Sequence, residues 1–242
     1  MTDNERKQQP TEDPRQKQAE ATLHKLVKDI DDHPKDYRTY YDLSVFLVEL
    51  KSYTQAEELL MKALGLFGDS SKKAKSTLLY GLGNVYYSAG EFEKAIHQFQ
   101  QVDDPGLKKD AYVMLAQSYM GKKDYKRALV FLLTAQELAK QDPEINKMMG
   151  ECLMALGDFD QAADFYDRVL KNDPHDGKAN FDRGLIAMVL GEPFEDYFKK
   201  AEKYDKKNFD AKQSQIKDIE KVVQLNKQKK DHPDDPKRND PK

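Results

Sequence analysis

The sequence predicts an all-α chain of tandem helix pairs, and three observations carry that prediction. Of 242 residues, 38% are apolar and 34% charged, and mean hydropathy is -0.88, which describes a thin core under a heavily solvated surface. The 10 prolines and 12 glycines are few for an all-β chain, while helix formers are plentiful. Small residues stand at Ser44, Gly83, Ala116, Gly150 and Gly184, at intervals of 39, 33, 34 and 34. Nine residues after each of the first four comes an aromatic, Tyr53, Phe92, Tyr125 and Phe159, and twelve after comes Ala56, Ala95, Ala128 or Ala162. Recurrence at a fixed period marks a repeat architecture.

Residues 1–16 lack apolar residues to bury and are expected to be disordered. Residues 17–33 form a capping helix, with Ala19, Leu23, Leu26, Val27 and Ile30 as its stripe before His33 and Pro34. Repeats follow at about 37–70, 76–109, 109–142, 143–176 and 177–208. Each holds two helical stretches around a turn, with glycine at Gly90, Gly157 and Gly191. The small residues sit where paired helices approach closest, since a larger side chain would push the axes apart. Leu60, Phe99, Leu132 and Tyr166, then Ala63, Val102, Ala135 and Val169, continue the buried side of the second helices. Extra residues before the second unit lengthen one interhelix loop, DSSKKAKS. In the fifth unit Asp196 replaces the alanine and Pro193 enters the turn, so Ala201 serves as the late alanine only if the helix is two residues shorter. A Lys- and Gln-rich helix at 209–228, with Phe209, Ile216, Ile219, Val222 and Val223, caps the other end, and 229–242 form a disordered charged tail.

The second unit contains LLYGLGNVYYSAGEFEKAIHQFQ, residues 78–100. A phosphate-binding glycine loop needs a strand before it, and none precedes this GLGN, so its glycine is a packing position. Leu79, Leu82, Gly83, Tyr86, Ala95, Phe99 and Val102 instead match W-x2-L-G-x2-Y, A-x3-F, A, and Pro174 closes the fourth unit. In these residues the chain resembles the tetratricopeptide repeat family. The resemblance implies a right-handed α/α superhelix whose concave wall is formed by the first helix of each pair. It also implies groove positions. The fifth residues of the units are Tyr41, Tyr80, Val113, Lys147 and Phe181; the ninth are Val45, Asn84, Gln117, Glu151 and Leu185; the twelfth are Val48, Tyr87, Met120, Met154 and Met188. Valine, tyrosine and methionine can receive apolar side chains, and Asn84 and Gln117 can hydrogen-bond a peptide backbone. Packing competes with this role: such aromatics also join neighbouring first helices, and the C-terminal helix is a candidate to fill the groove from within.

Chemistry is not expected here. The five histidines show no metal-ligand or catalytic spacing, Cys152 has no histidine placed to activate it, and the carboxylates decorate helix starts. The expectation is a non-enzyme without cofactor or metal. The family's clamp for chaperone C-termini needs Lys and Asn at positions five and nine, then Asn, then Lys and Arg; this chain offers Tyr41 and Val45, Gly81, Asp110 and Met114. Net charge of -3 and a mixed groove speak against nucleic acid, although Lys72, Lys73, Lys75, Lys108, Lys109, Lys122, Lys123, Lys126 and Arg127 form a patch that an RNA- or ribosome-associated alternative would use. A helix-turn-helix does not fit before the repeats. The polar N-terminus lacks a signal-peptide core and no run reaches the roughly 18 apolar residues of a membrane span, so a cytoplasmic scaffold that binds another protein or peptide, or a second copy of itself, is expected.

Overall fold

The computed structural model describes residues 14–69 and 71–231, the last six by backbone alone. The parts of the expected terminal disorder at 1–13 and 232–242, and Ser70 of the expected loop, lie outside the described residues. Twelve helices and no strand occur among the described residues. The chain divides into two compact units, Met1–Gly121 and Lys122–Lys242.

The first unit holds α1 (Pro14–Asp32), α2 (Tyr37–Glu49), α3 (Tyr53–Phe67), α4 (Lys72–Ser88), α5 (Phe92–Gln100) and α6 (Lys108–Gly121). Helix α1 begins inside the segment expected to be disordered, at Pro14, and buries no residue fully; Leu23, Leu26 and Ile30 are half-buried while Val27 is exposed. It packs on α2. Helices α2 and α3 form one antiparallel pair, α4 and α5 the next, and α3 also packs on α4 and α5 on α6. The expected loop DSSKKAKS is mostly helix. Ser71 Oγ accepts from the Ala74 amide at 3.0 Å and caps α4, whose first turn absorbs Lys72, Lys73 and Lys75. A lysine run beside an alanine favours helix once a cap satisfies the free amides.

The periodic small residues are contact points. A Cβ at Gly83 would lie 2.5 Å from the Phe99 ring, so glycine is what lets α5 approach α4. Ala56, Leu60 and Ala63 on α3 are fully covered, as are Ala95 and Phe99 on α5.

The second unit holds α7 (Tyr125–Leu138), α8 (Pro143–Leu156), α9 (Phe159–Asn172), α10 (Gly177–Leu190), α11 (Glu195–Tyr204) and α12 (Lys206–Asp231). Aspartates start four of these: Asp124, Asp142, Asp158 and Asp176 each accept an amide from the first turn. Gly157 and Gly191 end α8 and α10 at φ 81° and 76°, a left-handed conformation that glycine adopts without a Cβ penalty. The pair α8 and α9 repeats the earlier contact: a Cβ at Gly150 would meet Tyr166 at 2.6 Å. In the pair α10 and α11 the same role falls to Phe198, 2.8 Å from a Cβ at Gly184. Phe198 lies two residues nearer to its glycine than Phe99 and Tyr166 do to theirs, and Ala201 is buried beside it. The deletion has therefore shifted the whole register of α11.

Helix α12 follows after a single residue, Asp205, and runs three residues into the expected tail. It packs along α10 and α11. Among its described side chains Phe209 alone is buried, while Ile216, Ile219 and Val223 are half-buried and Val222 is exposed.

Candidate functional site

The wall to which the repeat positions point is built in the first unit by α2, α4 and α6. Helices α2 and α4 meet at Gly81, where a Cβ would stand 3.0 Å from the Tyr41 ring. Tyr41 is half-buried, and burial raises its phenol above the ordinary value, with Asp42 and Asp110 adding to the effect. Tyr80 packs on Phe99 with ring centres 5.5 Å apart. Its hydroxyl is pushed up to about 12 by burial first, then by Asp110 and Tyr41, while a hydrogen bond with Asn84 opposes the shift. Both tyrosines are therefore neutral donors at physiological pH. Next to them lies a notch of about 190 Å³, lined by Ser44, Val45, Val48, Glu49, Gly81 and Asn84. Val45 is 40% exposed, enough to meet a partner. Tyr87 packs on Phe92 at 5.7 Å, and Val113, Gln117 and Met120 on α6 are half-buried. Sequence reasoning did not single out Gly81 and Ser44 as notch residues. Their signal is smallness at a helix crossing, the same signal that marked Gly83.

In the second unit the expected positions fare differently. Lys147 Nζ sits 2.9 Å from Asp176 and 2.6 Å from Glu144, so this lysine is already engaged within the unit. Asp176 also caps α10. Its hydrogen bonds hold its carboxyl below the usual carboxylate range, although burial pulls the other way as the largest single effect. Phe181, Leu185 and Met188 were expected to face a ligand unless the C-terminal helix filled the groove from within, and it is α12 that covers them. They are 0%, 4% and 4% exposed and cluster with Phe209, Ile216 and Ile219. Phe181 meets Phe209 edge-on at 5.8 Å. Lys212 of α12 stands 5.5 Å above the Phe181 ring centre and 3.3 Å from Asp182 Oδ1. Burial raises the Asp182 carboxyl, and Lys212 opposes that rise; its other oxygen accepts from the Tyr166 hydroxyl at 3.3 Å. The physical reason for the covering is that a polar helix with one apolar stripe is tethered a single residue after α11, so docking costs it little chain entropy.

Glu151 and Met154 on α8 remain accessible. They line a cavity of about 300 Å³ with Tyr125, Ala155, Phe159, Leu185, Val189 and Ile219. Burial pushes the Glu151 carboxyl up, Asp182 adds to this and Lys212 opposes it. Val189 and Ile219 were missed as lining residues, because only the position of α12 brings Ile219 there.

Several basic residues of the patch are engaged within their own units. Lys72 and Lys108 both reach Asp103, at 2.7 and 3.6 Å, Lys109 reaches Asp110 at 3.3 Å, and Arg127 reaches Asp124 at 2.6 Å. Cys152 is buried, and burial raises its thiol to about 12, so it is no thiolate at physiological pH. Among the described residues no group of His, Cys, Asp and Glu is arranged to hold a metal, and no helix is long and apolar enough to cross a membrane.

Two family models, both described as tetratricopeptide repeat, match the chain, one over residues 86–152 and 119–180 and the other over 32–102. Together they span more than half of it. Among curated proteins, none matches. Among solved structures, YrrB, described as a TPR protein with an unusual peptide-binding site, is 25% identical with a TM-score of 0.59, covering 79% of this chain and 97% of its own. PilF of Pseudomonas aeruginosa is 16% identical with a TM-score of 0.66, covering 84% and 91%. A structure of MamA is 20% identical with a TM-score of 0.58, covering 71% and 92%.

Proposed function

Because the chain belongs to the tetratricopeptide repeat family, a family of protein-interaction scaffolds that are in general non-enzymatic, we propose that it binds a peptide or helix of another protein along the first-helix wall of its first unit. The carrying observation is the contrast between the two units. At repeat positions five, nine and twelve, α2 and α4 leave Tyr41, Val45, Val48, Tyr80, Asn84 and Tyr87 partly exposed beside an apolar notch. The matching residues of α10 are sealed under the chain's own helix.

The wall has the composition that such recognition requires. Valine and tyrosine offer apolar contact, and Asn84 and Gln117 offer amides to a backbone. Met120 on α6, and Met154 in the second unit's cavity, add side chains that adapt their shape. The peptide-binding site described for YrrB, at 25% identity, supports the same use of the fold.

A pull-down from native lysate tests this, comparing the wild type with a Tyr80→Ala, Asn84→Ala, Tyr87→Ala variant of unchanged helicity, with and without nuclease. A protein retained by the wild type and lost by the variant supports the wall. Retention of the same set by both, or a set emptied by nuclease, contradicts it.

A further inference from the structure

Repeats one and five begin alike, and the likeness extends to a pair of side chains. Asp36 caps α2 as Asp176 caps α10. Four residues on, the Tyr40 hydroxyl donates to the Pro34 carbonyl at 3.5 Å, and Asn180 Nδ2 donates to the Pro174 carbonyl at 3.1 Å. The fifth and sixth residues are then Tyr41 and Asp42 in one repeat, Phe181 and Asp182 in the other. In the second unit this aromatic-aspartate pair is a filled lysine seat: Lys212 caps the ring and meets the carboxylate. Leu185 and Met188, four and seven residues along, take the apolar stripe of the same helix. In the first unit Val45 and Val48 stand at those same spacings from Tyr41 and line the notch.

Among the described residues nothing fills the first unit's pair. Asp42 is exposed and makes no hydrogen bond or ion pair among the described residues. Arg38, one turn earlier, is committed to Asp36, with Nε and Nη2 contacts of 2.9 and 2.6 Å, and Asp42 acts on it only as the weakest of the charges that raise its pKa. Glu49 at the notch and Asp110 near both tyrosines add negative charge.

We propose that Tyr41 and Asp42 form a second lysine seat, which receives a lysine set in the apolar stripe of a partner protein's amphipathic helix. The ligand pattern is the one α12 displays, with Lys212 flanked by Phe209, Ile216 and Ile219 on one face. This rests on the reading that the first unit's wall is the binding face, and adds to it the chemistry of the partner.

The probe is a fluorescein-labelled peptide of residues 206–225, titrated into the full-length protein by anisotropy. The tethered α12 holds the second unit's seat at an effective concentration in the millimolar range, so a micromolar probe reports on the first unit. Saturable binding is expected, weakened about three- to tenfold by Asp42→Asn, an effect sized for an exposed ion pair with a cation over a ring. Lys212→Gln in the peptide should cost the same, and the two changes together no more than either alone. Asp182→Asn should leave the affinity unchanged.

No saturable binding, or equal binding by Asp42→Asn, overturns the seat. Loss on Asp182→Asn overturns it too, because the probe would then be exchanging with α12. Val45→Arg separates the two ideas. If it abolishes binding and Asp42→Asn does not, the wall stands and the seat falls; if neither matters, both fall. Self-association in sedimentation that Asp42→Asn removes would make the occupant a second copy's α12 and overturn the partner.

Discussion

Replacing Phe209 with alanine should undock α12 while leaving the helix pairs beneath it intact. The ring is 8% exposed and touches Phe181 at 5.8 Å and Phe198 at 6.5 Å between ring centres. Truncating a buried phenylalanine costs about 3–5 kcal/mol in a closed core. This one sits at the edge of its cluster, where the helix can lift away, so about 3 kcal/mol is the working figure. At about 1.4 kcal/mol per tenfold, that raises the detached population roughly a hundredfold. The partly buried Ile216 and Ile219 and the Lys212 contacts do not replace a ring. Hydrogen exchange by mass spectrometry reads the result directly: amides of 206–225 should lose about a hundredfold in protection, and those of α8 and α9 should hold theirs. Unchanged protection in α12 would show that Phe209 is not its anchor. Equal loss throughout the second unit would show that α12 is part of one cooperative core rather than an occupant lying on it.

Other outcomes follow from the same contacts. Gly150→Ala places a Cβ 2.6 Å from Tyr166 and should lower stability by about 1–3 kcal/mol, seen as a reduced thermal midpoint, whereas the same change at Gly65, which has open space around it, should be neutral or stabilising. Lys123 holds φ 60° at a position where the second, fourth and fifth repeats use glycine and the first uses Lys51 at φ 59°, so Lys123→Gly should stabilise by about 0.5–1 kcal/mol in chemical denaturation. The Asp176 carboxyl is held below its ordinary value in the fold, against the pull of burial, by its hydrogen bonds and Lys147, so its contribution is full at neutral pH and fades as pH falls through that lowered value. Asp176→Asn, which keeps a capping side chain but loses the charge facing Lys147, should cost about 1 kcal/mol at neutral pH, and melts in acid should show the difference between the two proteins closing.

The features legible in the sequence were those that repeat. Gly83 and Gly150 each stand opposite the aromatic sixteen residues later because two helices can approach only where one side gives way, and that requirement leaves a periodic trace. Ala201 was legible too, because losing two residues moves one late alanine in step with its helix. What was not legible depends on events without a period. Helix α4 begins early because Ser71 caps it, and a serine in a lysine-rich run reads equally well as loop. The sequence offered the C-terminal helix as a candidate to fill the groove, but not which residues it would cover: the covering of Phe181, Leu185 and Met188 rests on Phe209 and Lys212, about thirty residues away. Nothing local in a Lys- and Gln-rich helix distinguishes a solvent-facing cap from one that lies on its neighbour's inner face. The one available signal was the repetition of an aromatic-aspartate pair at Tyr41 and Phe181, visible only once repeats one and five are set beside each other.

The central claim is that the first unit's wall meets a partner and the outer faces do not. The most direct measurement is site-specific photo-crosslinking, with benzoylphenylalanine introduced singly at position 45 on the wall and at exposed outer positions 66 and 133, in place of Val45, Leu66 and Leu133. A discrete protein adduct is expected from position 45, absent from 66 and 133. An adduct from either outer position with none from 45 would contradict it.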